Sequence, residues 1–146
     1  MSLSANDAAD RVSQMTALTE RLTERLTVEA AAFEARRPQD VTSALPETQE
    51  LANIYRRESA RVKADPSLIE SAPAAARAAL LRATEAFEAV LTRHFRALEA
   101  SRTLTEGLVK AIAREVVEAR APGTGYGASG RAMGADARAV TLNRQA

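Results

Sequence analysis

The side chains best suited to chemistry in this chain gather around its single histidine. His94 shares a predicted helix with Glu85, Glu88 and Glu99, and imidazole with carboxylates is the donor set of carboxylate metal bundles. Those sites take a Glu-x-x-His pair from each of two helices, whereas here Leu91 stands three before His94 and no second histidine exists. The spacing refuses a metal. With no cysteine, thiol redox, disulfide and zinc-thiolate chemistry are excluded as well. Thr124-Gly125-Tyr126-Gly127 is glycine-rich, but a phosphate-cradling loop joins a strand to a helix and no strand is predicted near it. No Ser/His/Asp set or paired-carboxylate pocket has a supporting context. The expectation is no enzyme, no cofactor and no metal.

Charge points away from nucleic acid. Twenty basic and nineteen acidic side chains leave a net charge of +1, so no strong field draws the chain to phosphate. Arg131, Arg138 and Arg144 recur near the C-terminus, yet Asp136 lies among them and aromatic interleaving is missing. The first residues, MSLSANDAAD, lack a basic region followed by an apolar run. No stretch approaches the ~20 apolar residues of a membrane span. A soluble cytoplasmic protein without membrane insertion is expected.

The elements that position these residues are helices. Hydrophobic content is 46 % but aromatic content only 3 %, and alanine supplies much of the former, which favours long helices packed side by side. Ser4 to Asp7 has capping-box spacing, predicting a first helix from there to Pro38, about 50 Å long. Its stripe is Ala8, Val12, Met15, Leu18, Leu22, Leu26, Ala30 and Phe33. Asp40 and Ser43 both qualify as cap of the second helix; Pro46 favours Ser43, which places the proline in the first turn. That helix carries Leu45, Leu51, Ala52, Tyr55 and Val62 and ends at Asp65-Pro66, after about 30 Å. Ser67 to Glu70 is read as one helical turn burying Leu68 or Ile69, or as a loop.

The third helix is predicted from Ala74 to Arg120, about 70 Å, with the stripe Leu80, Thr84, Phe87, Leu91, Phe95 and Leu98, then Thr105, Leu108, Ile112 and Val116. Ser101 to Thr103 interrupts it, and Gly107 marks a close approach, a bend or the end of internal packing. Ala121-Pro122-Gly123 is expected to stop the helix, and residues 123–146 hold five of the six glycines. The fold class is all-α: an antiparallel up-and-down bundle of about three long helices over residues 1–122, with a very long third helix and a flexible tail over 123–146.

Lengths then suggest function. A second helix of about 30 Å cannot cover a third of about 70 Å, so the third should overshoot by some 20 Å from near Ser101. Leu104, Leu108, Val109, Ile112, Val116 and Val117 would form an apolar face without an internal partner. A helical client would use i, i+3, i+4 and i+7 anchors there, with the tail as a strap carrying Tyr126, Met133, Val140 and Leu142. The alternative is a second copy of the chain, a homodimer.

The chain resembles the FlgN-type flagellar export chaperones over most of its length. The likeness is carried by Val28-Glu29-Ala30 to Ala35, the Leu45 to Val62 helix, Leu98-Glu99-Ala100-Ser101 to Leu108, and Tyr126 to Gly130, which fits the family's Tyr-x-x-x-Gly. The resemblance implies a cytoplasmic chaperone that holds C-terminal helices of the hook-associated proteins FlgK and FlgL before secretion. It implies client binding at Leu104, Leu108, Val109, Ile112, Val116, Tyr126 and Leu142. The competing reading is a structural coiled-coil or flagellar assembly factor with a homotypic helix interface.

Overall fold

The computed structural model describes residues 2–125, with side chains to residue 120. Among them are four α-helices, α1 (Ala8–Glu34), α2 (Leu45–Ala64), α3 (Ser67–Glu70) and α4 (Ala74–Gly125), and no strand. The chain forms two compact units, Met1–Arg102 and Thr103–Ala146. The expected change from bundle to tail at residue 122 concerns a segment of which residues 126–146 lie outside the described residues.

α1 begins later than the capping-box reading placed it. Asp7, in extended backbone, is the N-cap, and its carboxylate accepts the Asp10 amide at 2.8 Å. Asp10 in turn accepts from the Asn6 amide at 3.0 Å, so two donors at the helix start are satisfied reciprocally. Ser4 lies outside the helix, where its carbonyl accepts from the Gln14 side chain at 3.0 Å.

The other end of α1 comes earlier than Pro38. Arg36 sits in the left-handed region at φ 59°, its amide bonds the Phe33 carbonyl at 3.0 Å, and the Arg37 amide bonds that of Ala32 at 2.8 Å. These two bonds make a Schellman stop, with arginine where glycine is usual. At 27 residues α1 is therefore about 40 Å long, shorter than expected.

Two 3-10 turns, Pro38–Asp40 and Thr42–Ala44, lead into α2. Ser43 falls inside the second turn and Ala44 is the N-cap, with no side-chain cap bond. The reason is conformational: a side-chain cap needs an extended N-cap residue, and the turn already holds Ala44 in the right-handed helical region. Pro46 lies in the first turn of α2, as its missing amide requires. Asp65 closes α2, then accepts the Ser67 amide at 3.2 Å and opens α3. Leu68 and Ile69 are half-buried, and α3 packs on α1.

In the first unit, side-chain pairs give the helix directions. Arg11 meets Glu58, while Arg21 and Arg25 both meet Glu47, so α1 and α2 run antiparallel. Leu22 and Leu26 cluster with Phe87, and farther along Glu29 meets His94 and Glu34 meets Arg93, so α4 runs parallel to α1 here. Val12, Met15, Leu18, Leu22, Leu26 and Ala30 are buried, which is the stripe predicted for α1. α2 is shallower: Leu51, Ala52 and Tyr55 are partly buried against the core, with Tyr55 and Phe87 ring centroids 4.8 Å apart.

α4 follows the expected stripe through Leu80, Thr84 and Phe87 and departs from it beyond Phe87. The covered seam runs Ala76, Leu80, Ala83, Phe87, Val90, His94, Ala97 and Ser101, spaced by fours and threes, with Ala79 and Thr84 half-buried beside it. Leu91, Phe95 and Leu98, expected in the seam, are exposed. The Glu34–Arg93 and Glu29–His94 contacts fix this rotation, and one residue further along, about 100° around the helix, lies off the seam. α4 also continues to Gly125, through Pro122, where a stop was expected. A proline removes one amide bond, but propagation from an established helix costs far less than nucleation.

Candidate functional site

From Thr103 onward the described helix sorts its residues into rows. Leu104, Leu108, Ile112 and Val116 follow one another at i,i+4 spacing, and Thr105, Val109, Ala113 and Val117 form a second row about 100° around the helix. Glu106, Lys110, Arg114 and Glu118 form a third, on the far side. Charge confined to one row leaves an arc of roughly 200° that is nearly free of it. Within that arc only Glu115 is charged between residues 104 and 117.

The arc is exposed. Every side chain from Arg102 to Arg120 is open to solvent, with Leu104 at 50 %, Leu108 at 61 %, Ile112 at 52 % and Val116 at 47 %. Val109 and Val117 are equally open. Contiguous exposed apolar surface of this kind makes the arc the candidate site. Gly107 lies on its flank, and a Cβ there would meet nothing within 4 Å, so the close approach that glycine permits is not taken up by the described residues. Five of the expected site residues, Leu104, Leu108, Val109, Ile112 and Val116, therefore share one face. Tyr126 and Leu142, like Met133 and Val140, lie outside the described residues.

His94 acts in packing, while Glu85, Glu88 and Glu99 are exposed. His94 Nε2 lies 2.9 Å from Glu29 Oε2, and the ring stands edge-on to Phe33 with centroids 5.9 Å apart. Glu29 is buried, and its Oε1 has no hydrogen-bond partner. Among the described residues no cluster of three metal-ligating side chains occurs. The groove between α1 and α4, about 440 Å³, is lined by Glu20, Thr23, Glu24, Arg82 and alanines, too polar and open for the apolar enclosure a small-molecule site needs.

Two groups show what holds α1 to α4 at the surface. The Arg93 guanidinium donates to Glu34 at 2.8 and 2.7 Å, which holds the Glu34 carboxyl below its usual range and raises Arg93. Asp10 is lowered too, chiefly by the Asn6 amide.

Sequence reasoning missed the exposed apolar residues of the first unit. Leu91 and Leu98 are open, and Phe95 is 62 % exposed, as is Leu81 beside them at 60 %. Leu91, Phe95 and Leu98 were expected in the seam; only the packing of α4 on its histidine and alanines shows otherwise.

Fold and surface define an all-α protein of long helices whose last helix presents an exposed, largely apolar arc with Glu115 as its one charge between residues 104 and 117. The chain belongs to the FlbY family, since the flagellar basal-body protein FlbY of Caulobacter vibrioides is 51 % identical to it over 149 aligned positions, covering all of both chains. No protein-family model matches the chain. No solved structure matches it either. No described helix is long and apolar enough to cross a membrane.

Proposed function

We propose that this chain acts in flagellum assembly as a cytoplasmic type III export chaperone, capturing C-terminal helices of hook-associated proteins of the FlgK and FlgL type before secretion. The observation that carries the reading is the exposed arc of Leu104, Leu108, Val109, Ile112 and Val116. Similarity to a flagellar basal-body protein supplies the flagellar setting. In this reading the three long helices serve as an up-and-down bundle, and the arc lies against an amphipathic client helix through anchors three and four residues apart. Tyr126 and Leu142 add contacts from the C-terminal segment. Such a surface binds without chemistry, by covering apolar area that would otherwise promote aggregation of the client.

The test is co-purification of candidate clients with the intact chain and with the Leu108→Asp, Ile112→Asp double variant. Capture by the first and not the second is expected. Equal capture by both, or a dimer of unchanged mass at all concentrations that survives the double substitution, removes the arc from the mechanism and favours a structural assembly factor.

A further inference from the structure

We infer that an exposed strip of α4 in the first unit pairs two copies of this chain, the two strips lying antiparallel on one another. The inference does not rest on the proposed function, which concerns the second unit.

The strip is Glu88, Leu91, Phe95, Leu98 and Arg102, spaced by three, four, three and four residues. At roughly 100° per residue these five positions fall within about 80° of one another, to one side of the covered seam. All five are exposed, with Leu91 at 45 %, Phe95 at 62 % and Leu98 at 40 %. Three large apolar side chains thus stand in one open row while Ala97 is buried and His94 half-buried beside them. Contiguous apolar surface of this kind is what an interaction covers.

Charge selects the occupant. Glu88 stands seven residues before Phe95 and Arg102 seven after it. Laid antiparallel about a two-fold axis at Phe95, the strip meets itself with Phe95 on Phe95, Leu91 against Leu98 and Glu88 against Arg102. Each end then makes an opposite-charge pair around an apolar centre, whereas a parallel copy sets Glu88 on Glu88 and Arg102 on Arg102. The other charges of this stretch do not oppose the pairing. Arg93 is engaged by Glu34 and His94 by Glu29. Glu85 and Arg96 lie about 100° or more from the centre of the strip. Glu99, at its edge, falls beside Arg102 on its own helix and opposite Thr92 of the second copy, so Arg102 stands between two carboxylates. An unrelated helix would need this order of base, apolar anchors and acid; a second copy has it by construction.

The strip is about 21 Å long. That is small beside the interfaces of obligate dimers, so the pair separates on dilution.

Sedimentation of the full-length chain over a range of concentrations reads this equilibrium. The native chain is expected to pass from monomer to dimer as concentration rises. Phe95→Asp replaces an exposed side chain, and with helicity and urea midpoint unchanged it should weaken the dimer at least about tenfold. Glu88→Arg and Arg102→Glu should each weaken it several-fold, and the two together should restore it. Glu88 and Arg102 are about 21 Å apart along one helix, beyond the reach of screened surface charges, so rescue of one reversal by the other acts only between copies.

A chain that is monomeric at every concentration would give the strip to another partner and overturn the inference. A dimer indifferent to Phe95→Asp, or a double reversal no tighter than the single ones, would overturn it as well. Leu108→Asp with Ile112→Asp is expected to leave the equilibrium as it is. Loss of the dimer in that variant would place the contact on the second unit and overturn the inference, whatever happens to client capture.

Discussion

Arg11 and Glu58 are nearly enclosed where α1 and α2 meet, with Nη1 and Oε2 3.0 Å apart. The other carboxylate oxygen of Glu58 accepts from the Leu3 amide at 3.4 Å. A pair like this adds little over an apolar substitute, but removal of one partner leaves the other charge buried and alone. Glu58→Ala is therefore expected to destabilise the chain by about 3–5 kcal/mol, read from urea unfolding, and a loss too small to measure would contradict this. Glu34 behaves differently because it is exposed. Its hydrogen bonds and charge attraction to Arg93 lower its folded-state pKa, so the stabilisation is present above the ordinary glutamate value and is lost as pH falls through the lower folded value. The urea midpoint should fall on acidification below about pH 4.5, and Glu34→Gln should lower the midpoint at neutral pH while reducing that acid slope. A slope identical in the variant would assign the acid sensitivity to other carboxylates such as Asp10.

At the scale of elements, the stop of α1 depends on one residue in an unfavourable conformation. Arg36 at φ 59° carries a strain of roughly 1–2 kcal/mol that glycine would not. Glycine also loosens the unfolded chain, so Arg36→Gly is expected to raise stability by about 0.5–1 kcal/mol net, measured as a shift in the urea midpoint at unchanged slope. A lower midpoint would mean that the arginine side chain contributes more than its backbone costs.

The same scale shows what could be read from residues alone. α1 was legible because its covered positions, Val12, Met15, Leu22 and Leu26 among them, are large and apolar and recur at helical spacing. Beyond Phe87, α4 was misread by one position because its seam there is built from Val90, His94 and Ala97, while Leu91, Phe95 and Leu98 face outward. Side-chain size is a poor guide where helices approach closely and small residues fill the contact. Beyond Thr103 the arc was legible for another reason: between residues 104 and 118 charge gathers in one i,i+4 row, Glu106, Lys110, Arg114 and Glu118, with Glu115 the exception, a pattern that needs no knowledge of packing. The cap at Ala44 was missed because the preceding 3-10 turn, rather than a polar side chain, decided it; at the start of α1, Ser4 and Asp7 are both capping residue types, and the carboxylate of Asp7 takes the role.

At the scale of the whole molecule, a chain similar over its full length to a flagellar basal-body protein carries an exposed apolar arc on its last helix, for which a client helix is the proposed partner. The most direct test is the affinity of a labelled C-terminal helix from a hook-associated protein for the full-length chain, followed by fluorescence anisotropy at physiological salt. Two aspartates placed at the centre of an apolar contact remove anchors worth about 2 kcal/mol or more each. Saturable binding to the native chain, weakened at least about 100-fold by Leu108→Asp with Ile112→Asp while the variant keeps its helical content and unfolding midpoint, is the predicted result. Equal affinity for native chain and variant would contradict the central claim.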